Sequence, residues 1–187
     1  MKHLRVAAAA LLAGCASLPP PGLPERPLRA AIASFELEGR IAVRGATSAM
    51  SARVAWSHER AGDAVTVSSP LGATLAELAW DASGARLRTA QNESVAADGI
   101  EALGRKVFGL DLPLAAMPDW VIGRSAGAPL SVEYDAHRRI VRFAEQGWNI
   151  EYPEYESDAA EALPRRIGMK RGEVEVRLAV ERWAVAP

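Results

Sequence analysis

Residues 35–43, FELEGRIAV, and residues 50–57, MSARVAWS, alternate apolar and polar side chains with a period of two. Phe35, Leu37, Gly39, Ile41 and Val43 share one face of the first run, opposite Glu36, Glu38 and Arg40. In the second run Met50, Ala52, Val54 and Trp56 stand opposite Ser51, Arg53 and Ser57. A period of two puts alternate residues on opposite sides of a strand, so each run has one dry and one wet face. Arg44 to Ala49, which contain Gly45, read as the hairpin connection between them.

The same pattern extends outward. Shorter strands are expected at about 63–69, 73–80, 84–90 and 92–96, and again near 129–134, 138–145, 147–152, 165–170 and 173–184. In the last run Val174, Val176, Leu178 and Val180 oppose Glu173, Glu175, Arg177 and Glu181. Its alternation slips at Arg182-Trp183, which implies a bulge or the strand end. Between the two β sections the period changes to that of a helix. Ile100, Leu103, Val107 and Leu110 recur at helical spacing, Asp98 and Glu101 fit a capping box, and Gly109 stops the run. A second helical piece is expected over Leu114 to Ile122, with Pro118 tolerated only near its start. The expected fold is mainly β (α+β): a curled, incomplete antiparallel β-barrel of about 11 strands around an apolar cavity. The helical insert, mid-chain, acts as lid or plug.

Composition narrows the function. Of 187 residues 49% are hydrophobic, enough for a real core, and the net charge is -1 with no long basic run, which argues against nucleic acid. The chain has one cysteine, Cys15, so an internal disulfide, a thiolate zinc site and Cys-X-X-Cys redox chemistry are excluded. Residues 1–14, MKHLRVAAAALLAG, join a basic start to an apolar stretch too short to span a bilayer. Leu12-Ala13-Gly14-Cys15 then resembles the bacterial lipobox, where the thiol is acylated and the chain is cut before it. The expected organisation is a signal peptide at 1–14, an acylated and proline-rich tether at 15–33, and a single domain at 34–187. Residues 18–27, LPPPGLPERP, read as a stiff extended spacer.

No catalytic constellation emerges. Gly123-Arg124-Ser125-Ala126-Gly127 matches the nucleophile-elbow pattern, but that elbow needs a strand before the serine and a helix after it. Here a helix precedes and Pro129 follows, so the segment reads as a Gly/Ser/Ala loop. His58 and His137 read as solvated turn residues with no second ligand at metal spacing. Neither a metal nor a cofactor is expected. The turn Ser69-Pro70-Leu71-Gly72 has ordinary turn chemistry except for Leu71, an apolar residue where a polar one is normal.

These pieces, taken in order, resemble the LolB family of outer-membrane lipoprotein receptors. The resemblance rests on Phe35-x-Leu37-x-Gly39-Arg40-Ile41, Ala52-Arg53 with Trp56, Ser69-Pro70-Leu71-Gly72, Leu112-Pro113-Leu114 with Trp120 and Gly123, Gly147-Trp148, and Trp183. It implies a non-enzymatic monomer, anchored through Cys15 at the periplasmic face of the outer membrane. Such a protein takes lipoproteins from the periplasmic carrier LolA by their acyl chains and inserts them into outer-membrane lipid without ATP. The family's protruding leucine falls on Leu71, flanked by Pro70 and Gly72. Strand alternation nominates Leu37, Ile41, Val54, Trp56, Trp120, Ile122, Trp148 and Ile150 as the acyl-chain cavity. The other reading is a structural lipoprotein that docks a partner complex through its sheet.

Overall fold

The computed structural model describes residues 26–45, 49–109 and 112–187. The leader, Cys15, the tether up to residue 25, and Leu110 lie outside the described residues. After a 3-10 turn at Arg29–Ala31, six strands follow: β1 (Ser34–Arg44), β2 (Ala49–Glu59), β3 (Gly62–Ser68), β4 (Thr74–Asp81), β5 (Gly84–Thr89) and β6 (Ser94–Ala97). Two helices come next, α1 (Ile100–Phe108) and α2 (Met117–Val121). Five strands complete the chain: β7 (Ser131–Tyr134), β8 (Ile140–Glu145), β9 (Trp148–Tyr155), β10 (Pro164–Arg171) and β11 (Val174–Ala186). All eleven form one antiparallel sheet in the order β6-β5-β4-β3-β2-β1-β11-β10-β9-β8-β7, which does not close into a barrel.

Register places the alternating residues on a common inner face. Leu37 lies opposite Trp56 and Trp183, Trp56 opposite Val65, Val65 opposite Leu78, and Leu78 opposite Leu87. The long central pair β1–β11 shifts register between Glu38 and Gly39, with Glu181 as the extra residue, one position before the expected slip. Gly39 is required there. A Cβ at this position would fall within the carbonyl of Ala179.

Each helix covers one wing of the inner face. Ile100 and Leu103 of α1 bury against Ala85 and Leu87, with half-buried Leu78, Trp80 and Leu114 around them. Trp120, Val121 and Ile122 bury against Phe143, Trp148, Ile150, Tyr152 and Leu163. Trp80 packs against both clusters, and the connection between the helices sends Leu112 to one and Leu114 to the other.

Two local expectations are corrected. Asp98 does not cap α1; Gly99, in extended conformation, occupies the cap with no side-chain bond, and its carbonyl accepts the N–H of Leu103. The second helix is shorter than 114–122, with Pro118 in its first turn, where a missing N–H costs nothing. Among the described residues no helix is long and apolar enough to cross a membrane.

Candidate functional site

The inner face differs at its two ends. At the end where β1 begins, aromatic rings close it. Phe35 meets Trp56 edge-on at 5.3 Å and Trp183 at 5.6 Å, and Trp56 lies 6.1 Å from Trp80. Trp56 Nε1 donates to Asp63 Oδ1 at 2.8 Å, and His58 Nδ1 sits 2.8 Å from the same oxygen while its ring stacks on Phe35. His58 is thus a packed strand residue, contrary to the turn position expected for it. His137 does occupy an exposed turn. Among the described residues no group of three or more His, Asp or Glu side chains is placed to hold a metal.

Toward the other end the same face becomes bare. Ile41, Val43, Val67 and Ala76 are only half-buried, and Met50 is exposed. A cavity of about 310 Å³ at this end lies on the opposite, polar face of the sheet, lined by Ala42, Arg44, Ser51, Glu175 and Arg177. The β3–β4 loop projects from the same half of the sheet, entered from Ser68, which pairs with Arg53. Ser69 Oγ accepts the N–H of Ala73, and the N–H of Gly72 reaches the Ser69 carbonyl, so a tight turn holds Leu71 at its tip. Gly72 has φ of 90°, the left-handed conformation that lets this turn close. Leu71 is 98% exposed, and Pro70 and Gly72 are exposed beside it.

The eight residues nominated by alternation converge, but as packed interior. Leu37, Val54, Trp56, Trp120, Ile122, Trp148 and Ile150 are buried in one cluster, with Ile41 packed against it. A second cavity, of about 490 Å³, lies at the closed end against Trp80, Asp63, Asp81 and Arg86, and none of the eight lines it.

Polar contacts that hold α2 escaped the sequence reading. Glu145 is buried on β8; its Oε2 accepts Trp120 Nε1 at 2.7 Å and the N–H of Ala126 at 3.0 Å. The hydroxyl of Tyr152 donates to the Trp120 carbonyl at 2.6 Å. Arg124 binds Asp119 and reaches back to the carbonyls of Arg29 and Ile32. Trp148 Nε1, in contrast, is buried with no hydrogen-bond partner. It is a donor that a ligand carbonyl could use. Ser125 sits in the loop after α2, with neither the strand–turn–helix geometry nor the fold that an elbow requires.

The family profile described as "Outer membrane lipoprotein LolB" matches residues 33–183. The chain belongs to the LolB family. That family is defined by an outer-membrane lipoprotein and is not an enzyme class. The chain is similar to an outer-membrane lipoprotein LolB of Azoarcus sp., 36% identical over 180 residues, covering 96% of this chain and 93% of the relative. A LolB of Dechloromonas aromatica is 38% identical over 183 residues, covering 95% and 94%. Among solved structures, a LolA superfamily protein of Nitrosomonas europaea superposes with a TM-score of 0.52 at 10% identity, covering 82% of this chain and 86% of that one. A DUF1329 family protein of Desulfovibrio piger gives 0.56 at 5% identity, covering 84% and 87%. These two likenesses show the open-sheet fold alone.

Proposed function

We propose that this protein receives lipoproteins at the periplasmic face of the outer membrane and inserts them into it. The observation that carries the reading is the placement of Leu71: fully exposed, at the one end of the sheet where the apolar inner face lies bare. Acylated Cys15 holds the protein at the membrane as a monomer. The cargo's acyl chains enter between the wings, lifting α2, with Trp120 and Ile122, away from Leu37, Val54, Trp148 and Ile150. Exposing such chains to water costs about 0.8 kcal/mol per methylene, so they pass only from one apolar shelter to the next. The carrier LolA supplies them, this protein holds them, and the bilayer is the final sink. ATP has no part in a sequence in which each acceptor binds more tightly than the last. Leu71, with Pro70 and Gly72 fixing its turn, enters the lipid. Its burial there contributes about 1.5–3 kcal/mol, enough to dock the bare end and too little to anchor it.

The test uses a soluble Cys15→Ala form, LolA loaded with a labelled lipoprotein, and liposomes added second. Cargo is expected to move to the protein and then to the liposomes, with Leu71→Glu blocking only the second step. A folded protein that never accepts cargo overturns the reading. In that case docking through the sheet takes its place, which Leu130, 86% exposed, and Tyr134, 61% exposed at edge strand β7, would favour.

A further inference from the structure

Four of the five tryptophans are buried, and three of these four place the indole N–H on an acceptor. Trp56 donates to Asp63, Trp120 to Glu145, and Trp183 to the carbonyl of Pro164 at 2.9 Å. Trp148 is the exception: it is 1% exposed, and its Nε1 meets no acceptor. Burying an N–H without a partner is costly, because the bond it made to water is lost and none replaces it. A hydrocarbon side chain here would avoid that cost. The donor is a capacity for a bond that the domain's own groups do not use.

The surroundings of Trp148 select the acceptor. Glu145 ends β8, Trp148 begins β9, Arg171 ends β10 and Val174 begins β11. Glu145 pairs with Trp148 and Arg171 with Val174, and the Arg171 guanidinium lies 5.0 Å from the centre of the Trp148 ring. These four residues are the last row of the inner face at the end where β1 finishes at Arg44. Glu145 is already engaged by Trp120 and Ala126. With a carboxylate on one side of Trp148 and a guanidinium on the other, the charges balance. A neutral carbonyl oxygen accepts the N–H and leaves that balance intact, whereas an anion would face Glu145. One row further in, Val43, Val176, Met169, Ile150 and Phe143 lie in register and are all apolar. Ile41, Leu178 and Ile167 continue that surface. An ester-linked acyl chain has the same profile, a carbonyl at one end with hydrocarbon behind it.

We propose that Trp148 Nε1 donates to the ester carbonyl of the cargo's acyl chain, so that this wing recognises acyl esters and not hydrocarbon of any kind. This rests on the receiving function above and deepens it by naming the linkage that is bound. The chain lies with its carbonyl at the strand ends and its hydrocarbon over Ile150, Met169 and Val176. The passenger polypeptide, joined at the head of the lipid, stays outside the sheet. The Glu145 bonds hold α2 and its following loop to this row, so the lifting of α2 that admits hydrocarbon also bares the donor. Arg171, over the ring face, keeps the indole plane in place while that cover is away.

Two fluorescent lipopeptides test this, one with two ester-linked hexadecanoyl chains and one with ether-linked hexadecyl chains, which have no carbonyl. Each is titrated into the soluble Cys15→Ala form. The ester probe should bind about three- to tenfold more tightly, the range of one hydrogen bond. Trp148→Phe should bind both probes alike, with the ether affinity of the parent, which also reports that the variant is folded. A second readout needs no substitution: the assigned indole N–H resonance of Trp148 should move downfield with the ester probe and not with the ether probe. Equal affinity of the parent for the two probes, an ester preference that survives in Trp148→Phe, or a resonance unmoved by the ester probe overturns the proposal. A folded parent that binds neither probe sinks the receiving function itself, so the two failures are told apart.

Discussion

Trp120 of α2 and Glu145 of β8 share a hydrogen bond that ties the helix to a carboxylate inside the core, Nε1 to Oε2 at 2.7 Å. With the N–H of Ala126 on the same oxygen, the carboxylate fastens both α2 and the loop that follows it. Both donors are orphaned when it is removed. Glu145→Ala should lower unfolding stability by about 2–4 kcal/mol, because buried donors then lose a charged acceptor. Glu145→Gln, which keeps an acceptor, should lose less. Urea unfolding of both variants measures this; equal losses would show that the oxygen is not what matters.

Leu71 contributes almost nothing to folding, because its side chain touches water rather than protein. Leu71→Glu should shift stability by less than about 0.5 kcal/mol while abolishing delivery to liposomes. A large drop in the denaturation midpoint would mean that the tip packs against something and that its exposure has been misread.

Gly39 sits where β1 crosses the bulge in β11, with the Ala179 carbonyl against its Cα. Gly39→Ala forces that carbonyl to move and should cost about 1–3 kcal/mol, at the high end for a single methyl group. Thermal unfolding of this variant beside Ala42→Gly, on the same strand and exposed, separates the clash from a general effect of strand substitution.

Stability should also fall in strong alkali. Burial outweighs the opposing charges of Arg29 and Arg139 and pushes Tyr155 up to about 12, and Tyr152 moves in the same direction. A folded-state pKa above the unfolded value near 10 stabilises the fold below pH 10, and that contribution disappears as pH rises from 10 to 12. Between those values the unfolded chain releases the Tyr155 proton first, at a loss of at most about 2–3 kcal/mol. Melting temperature against pH, for the native chain and Tyr155→Phe, checks the sign: the variant should show the shallower decline.

The strands were legible because one dry face imposes a period of two, and register then carries Leu37, Trp56 and Trp183 to one side. The bulge showed as a broken alternation near Arg182 for the same reason. Leu71 stood out because its residue type contradicts its turn. What could not be read were contacts set by tertiary position. Glu145 alternates like any strand residue, and nothing local tells that a tryptophan 25 residues earlier reaches it. Arg124 looked like part of a loose Gly/Ser segment, yet its partners at Arg29 and Ile32 lie more than ninety residues away. The cap at Gly99 was missed because backbone geometry, with no side chain involved, performs it.

The sheet ends in β6 on one side and β7 on the other, and neither is bonded to the other. A closed barrel has its girth fixed by its ladder, since swelling would break backbone hydrogen bonds around the ring. Here the circumference is interrupted. The two wings, each with its own helix and its own packed interior, are joined by the continuous ladder of the sheet, and on the inner face Trp80 packs against both interiors. Spreading them separates oily surface, at about 25 cal/mol per Å², and breaks no strand pairing. On the proposed function, a guest hydrocarbon would replace that contact in kind, and the interior would adjust to its bulk while the backbone ladder stays whole.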